Sequence, residues 1–235
     1  LWAEAERMAH LDVTEASFRS ERDVVKEEYR QGVLAPPYGR LDDALERHSW
    51  TRHPYRRPVI GNIPELDAAS LEDVLAFHRA HYRPDNAVLV VVGDFDPAAC
   101  DAAIDATFGK IPRPDAPLPP FDGAEPPRTR ERRFDERAPN VPLPAVALSF
   151  LTPPARHDDA ATLQILDAVL ASGQSSRLHQ SLVYRRRVAS EAYSYLDLRA
   201  DAGLLVVRAI AAEGKEAAAL EKALLEELVR LQNET

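Results

Sequence analysis

Hydrophobic and polar positions change period several times along the chain, and each change predicts an element. Leu1, Ala5 and Met8 keep the spacing of a helix stripe over residues 1–10. A second helical stretch covers residues 14–31, with Asp12 or Thr14 as its N-cap. Within it, SERDVVKEEYR (Ser20–Arg30) places Glu21, Val24, Val25 and Glu28 at i, i+3, i+4 and i+7, one face of a helix. QGVLAPPYGR interrupts the period with its glycines and prolines. LDDALERHSW predicts a short helix, and TRHPYRRPVIGNIPELD an extended loop. SLEDVLAFHRAHY predicts a helix capped by Ser70, with Glu72 and Asp73 in its first turn. NAVLVVVGDF is apolar at consecutive positions, which predicts a strand covered on both faces, central in a sheet. DPAACDAAIDATFGKI returns to helix, with Asp96 as cap and Pro97 in the first turn.

Between Pro112 and Pro144 the long apolar runs stop, and more than half of the chain's prolines fall there. The pattern predicts a linker over 113–143, with RTRERRFDE as one exposed strand in it. A second set of elements follows: PAVALSFLT as a strand, HDDAATLQILDAVLAS as a helix stopped near Gly173, and SSRLHQSLVYRRR as an amphipathic helix. EAYSYLDLRADAGLLVVRAIAA predicts a hairpin turning near Asp201–Gly203, and KEAAALEKALLEELVRLQ a closing amphipathic helix. Hairpins and segregated helices together predict an α+β fold rather than a doubly wound parallel sheet.

Composition narrows the function. The net charge of −9 over 235 residues argues against nucleic acid as the main partner. One cysteine, Cys100, permits neither an internal disulfide nor a multi-cysteine zinc site within the chain. No glycine-rich phosphate loop is present, and no apolar run reaches the length of a membrane span. The chain opens in mid-helix and ends abruptly as LVRLQNET finishes a helix, so a fragment of a longer protein is expected, soluble and, if bacterial, periplasmic or cytoplasmic.

The candidate chemistry is sparse. His78 and His81 stand at i, i+3 on one helix without a third ligand in view, and a core or solvent role is the simpler reading. RHPYRRP around His53 reads as an ordered connection rather than a substrate loop, and Arg185, Arg186 and Arg187 as a solvated helix end. Cys100 reads as a packing residue. Glu21 and Glu28 pose the sharper problem, because carboxylates on an inner helix face need partners. Two readings stand from spacing alone: a partnered inner face, or a rotated helix whose acids reach solvent or pair with Arg7, Arg22 or Arg30.

Three stretches resemble the insulinase/pitrilysin family of zinc peptidases, which includes the mitochondrial processing peptidase. ERDVVKEEYR is similar to the family's segment bearing the third zinc ligand. HPYRRPVIGNIPELDAASLEDVLAFHRAHYRPDNAVLVVVGDFDP is similar to the end of its first domain, and LDAVLASGQSSRLHQSLVYRRRVASEAYSY to the start of its second. The resemblance implies two homologous α+β domains, both incomplete here: residues 1–112 from the first, zinc-bearing one and 144–235 from the second. It implies that Glu28 is a zinc ligand and that Glu21 supports the site from behind the ligands. The other two ligands and the general base belong to an H-x-x-E-H motif that the chain lacks. No catalytic residue is therefore expected within it, and zinc is expected in the parent but not in this fragment. The family's substrate-holding arginine and tyrosine are replaced by Val183 and Ser190. The partners implied are a peptide or unfolded-protein substrate and a second homologous half or subunit. The implied function is a fragment of a zinc endopeptidase, or a non-catalytic, substrate-guiding subunit of that family.

Overall fold

The computed structural model describes residues 1–121 and 123–233; Asp122, within the predicted linker, and residues 234–235 lie outside the description. The chain divides into two units. The first joins Leu1–Glu27 to Gly61–Phe121, and the second joins Glu28–Ile60 to the described residues from 123 onward. No described helix is long and apolar enough to cross a membrane.

The first unit is helical. It holds α1 (Trp2–Ala9), most of α2 (Glu15–Tyr29), α4 (Ile63–Ala68), α5 (Leu71–His81) and α6 (Pro97–Thr107). Its helix starts follow local chemistry. Thr14 and Ser17 exchange hydrogen bonds at the entry to α2, the Ser17 N–H donating to Thr14 Oγ1 at 3.1 Å. Ser70 and Asp73 form a reciprocal capping box on α5, and Asp96 accepts from the Ala99 N–H at 2.7 Å on α6. The expected loop at 51–67 contains a helix instead: Asn62 caps α4 by accepting from the Glu65 N–H at 2.9 Å, and Pro64 fits the first turn. NAVLVVVGDF is not a strand, which corrects the expectation of a central one. Among the described residues no backbone hydrogen bond reaches residues 87–92, so the segment has no neighbour to pair with.

The second unit carries α3 (Gly39–Ser49) and a three-stranded antiparallel sheet of β1 (Ala145–Thr152), β2 (Ala189–Asp197) and β3 (Gly203–Ala211). The spatial order is β1-β3-β2, so the most apolar strand is the middle one. Alternate residues of β3 feed two cores, as a pleated strand requires. Val207, Ala209 and Ala211 pack with Leu170 of α7 (Ala160–Ala171), Leu178, Leu182, and Leu220 and Leu224 of α8 (Ala217–Asn233). Leu204 and Val206 pack with Trp50 on the other face. The expected amphipathic helix at 175–187 is a wider π-helical segment over His179–Arg185, closing on Arg187 in the left-handed region at φ 53°. The hairpin needs a glycine at 203, where a Cβ would lie 2.5 Å from the Asp197 carbonyl oxygen. RTRERRFDE is not a strand. Its arginines hold other parts of the second unit instead: Arg128 donates to the Ser49 carbonyl at 2.5 Å and Arg132 to that of His48 at 2.9 Å.

Candidate functional site

The orientation of α2 decides what Glu21 and Glu28 face. Phe18, Arg22, Val25, Lys26 and Tyr29 are its shielded positions, spaced three and four residues apart along one face. In the first unit, the Lys26 ammonium meets Asp67 of α4 at 2.6 Å and Asp23 at 3.4 Å, and Arg22 donates to the Ala69 carbonyl at 3.3 Å. Hydrogen bonding to Asp67 raises the pKa of Lys26 above the ordinary ammonium value. In the second unit, Tyr29 is buried, and desolvation raises its phenol pKa.

Those anchors rotate the helix relative to the stripe expected from spacing. Glu21, Val24 and Glu28 are exposed, centred roughly 120° round the helix from the shielded row at about 100° per residue. Only Val25 of the expected inner face lies inward. The correction has a physical cause: long basic side chains cover the inner surface with their stems while their charged ends find partners, so the helix need not bury its acids. No hydrogen bond or ion pair to Glu21 or Glu28 exists among the described residues, including with Arg7, Arg22 or Arg30. Both carboxylates therefore keep their oxygen lone pairs available.

An exposed, unpartnered carboxylate on a regular helix is a suitable donor for zinc, which takes oxygen ligands beside histidine nitrogens. One such donor does not make a site. Among the described residues, no three His, Cys, Asp or Glu side chains converge as a metal would need. His78 donates from Nε2 to the Arg7 carbonyl at 3.2 Å and stacks on Tyr82, while His81 lies against Phe77. The two histidines thus serve packing. The substrate-pair positions are also structural. Val183 packs on the main core, and Ser190, at the bulge in β2, donates to the Ala211 carbonyl at 3.2 Å.

His53 belongs to the second unit's own framework. It is fully buried; Nδ1 accepts from the Tyr55 N–H at 3.0 Å, which leaves Nε2 to face Asp201 at 3.4 Å. Its backbone N–H and those of Thr51 and Arg52 all donate to the Glu125 carboxylate, at 2.6–2.9 Å. Burial pushes the Glu125 carboxyl up, but these three donors outweigh it and hold its pKa below the ordinary value. Arg185–Arg187 do end a helix, and Arg186 pairs with Glu226 at 2.5 Å.

Charged groups inside the second unit are the features that the pattern did not single out. Arg208 of β3 is buried between the rings of Tyr38 and Tyr193, at 5.2 and 5.5 Å, and pairs with Asp42. Burial nevertheless raises the pKa of Asp42, and pushes that of nearby Tyr195 up to about 12. Glu227 of α8, only 1% exposed, lies between Arg177 at 3.0 Å and Arg230 at 3.2 Å. A single signal was available: an arginine within LLVVRAIAA must find a partner.

Comparison with known proteins adds what the geometry alone lacks. The family described as "Peptidase M16 inactive domain" matches residues 68–235, a range that begins after Glu28. A Helicobacter pylori protein named zinc protease PqqE is 33% identical over 235 residues, covering 95% of this chain and 51% of its own length. The crystal structure of a protease from Helicobacter pylori superposes with a TM-score of 0.89 at 30% identity, over 97% of this chain and 56% of that one. A structure described as the peptidase M16 inactive domain from Pseudomonas fluorescens shares the fold, with a TM-score of 0.75 at 17% identity over 98% of this chain and 55% of that one. The chain thus spans about half the length of the proteins it matches.

Proposed function

The chain belongs to the peptidase M16 family, and from that premise we propose that Glu28 is one ligand of a zinc whose other ligands, and whose general base, lie outside residues 1–235. The observation that carries this is the exposed, unpaired Glu28 carboxylate on a helix fixed by its opposite face. Bound zinc would polarise a scissile peptide carbonyl and lower the pKa of a coordinated water. This chain's part is narrower. Glu28 offers a carboxylate oxygen donor from a regular helix, so no loop must be ordered when the site assembles. Glu21, two turns away and about 10 Å along the axis, is too far to bond Glu28 directly. It orients a water or a ligand's ring N–H instead. In this reading residues 1–112 belong to the zinc-bearing domain and 113–143 form the linker. Residues 144–235 open a second homologous domain that contributes a wall around a peptide or unfolded-protein substrate. The wall's charge at the substrate pair would come from a second half or subunit, because Val183 and Ser190 carry none.

A non-catalytic, substrate-guiding subunit is the second reading. The matched family description favours it, since that domain type is called inactive. Metal analysis of the parent protein separates the two. The peptidase reading expects one zinc per chain, near-complete loss in Glu28→Gln, and affinity weakened about 10–100-fold in Glu21→Gln. Full zinc retention in Glu28→Gln would remove that residue from the ligand set, and a zinc-free parent would leave the guiding subunit.

A further inference from the structure

One cleft of the second unit has no part in the zinc reading. It measures about 330 Å³ and is lined by Ser175, Arg177, Gln180, Arg185, Glu227 and Arg230, all of them polar. Three guanidinium groups stand against one carboxylate, so the cleft is positive inside a chain whose net charge is −9. The carboxylate is already engaged: Arg177 donates to Glu227 Oε1 at 3.0 Å and Arg230 to Oε2 at 3.2 Å. Arg185 is different. Its Nε donates to the Gln180 carbonyl at 3.1 Å, and no carboxylate pairs with it among the described residues. A guanidinium carries five N–H donors in a fixed fork, so the outer nitrogens of Arg185 remain for a ligand.

The backbone is shaped to put Arg185 there. On an α-helix, residues five apart diverge by roughly 140° at about 100° each. The i→i+5 ladder of the π-helical segment His179–Arg185 brings Gln180 and Arg185 back towards one side. Arg187 ends the segment at φ 53°, a conformation that glycine takes at less cost. Widened helix and left-handed non-glycine residues both concentrate at functional sites. The loop before the segment is fixed as well. Gln180 Nε2 donates to the Gln174 carbonyl at 2.8 Å, which leaves Oε1 as an acceptor. Ser176, between two lining residues, is 5% exposed, and its hydroxyl finds no partner.

We propose that this cleft binds a phosphate group, carried by a small hydroxylated phosphomonoester or as the free ion. Guanidinium forks match phosphate oxygens, and the bonds are charge-assisted. The volume lies at the lower end of small-molecule sites and exceeds what a bare ion fills. Gln180 Oε1 and the Ser175 hydroxyl suit hydroxyl groups on the rest of such a ligand. No apolar residue lines the cleft to receive a peptide side chain.

The test titrates the parent protein with glycerol phosphate in a calorimeter at low salt. Saturable one-to-one binding is expected, weakened at least about tenfold in Arg185→Gln by loss of a charge-assisted bond. Without phosphate that variant should melt as the parent does. Ser175→Ala, at an exposed loop position, should also weaken binding. Arg186→Gln removes the same formal charge outside the cleft, from a residue paired with Glu226 at 2.5 Å, and should bind like the parent. Inorganic phosphate is the second probe: weaker binding assigns the site to a monoester, and equal affinity to the free ion. Absence of saturable binding by either probe overturns the proposal. So does equal weakening in the two arginine variants, which would mean diffuse attraction, or binding lost in Glu28→Gln, which would place the phosphate at the metal.

Discussion

The two units of one chain differ in how they hold themselves together. The second has the main apolar core around Leu170, Leu182, Leu220 and Val207, a smaller one around Trp50, and charged groups paired inside. The first has a single buried apolar residue, Ala5, although its helices are capped as well as any in the chain. Its exposed apolar residues include Trp2, Phe77, Tyr82 and the valines of 88–92. The difference separates two sources of order. Caps and helical periodicity fix local structure, whereas burial supplies most of the free energy that keeps elements assembled.

Mutations should expose that contrast. The largest effect is expected for Arg177→Ala, which strands the buried Glu227 carboxylate with a weaker partner and should cost about 3–5 kcal/mol in urea unfolding. Leu220→Ala opens a cavity against β3 and should cost about 2–5 kcal/mol. Glu125→Gln weakens three hydrogen bonds to a part-exposed carboxylate, so screening reduces the expected loss to about 1 kcal/mol at neutral pH. Its pH dependence has a definite sign. The folded-state pKa of Glu125 is lowered, so its contribution is present above the unfolded value and fades as pH falls through the folded one. The variant and the parent should therefore converge in stability below about pH 4. The smallest effect is expected in the first unit: Val90→Ala should change stability by less than about 0.5 kcal/mol. A loss of 2 kcal/mol or more there would mean that the first unit has a core of its own.

Legibility in the sequence followed the same divide. Ser70 with Asp73, and Asp96 with Pro97, announce their helices because capping acts over three residues. Asn62 and Pro64 carry an equally local signal for α4, hidden among the prolines around them. The hairpin of β2 and β3 was readable because its strands are neighbours in sequence. NAVLVVVGDF was read correctly as apolar on both faces, yet pairing depends on strands at a distance, and no pattern within the segment supplies them. For Glu21 and Glu28, periodicity gave their common face. It could not give that face's direction, because Lys26 and Arg22 find their partners 41 and 47 residues away. The family resemblance implies a chemical role for the two acids, which no periodicity within the chain could suggest.

The second unit is also assembled from chain segments made far apart in time. Trp50 ends α3, and its cover, Leu204 and Val206, belongs to the middle strand of the sheet. At a synthesis rate of about 5–20 residues per second, roughly 8–30 s separate the tryptophan from the completed strand. Through that interval the indole and the helix behind it have no sheet to rest on, and β1 and β2 emerge without the strand that joins them. The framework of the second unit therefore cannot close before its middle strand, Gly203–Ala211, has been made.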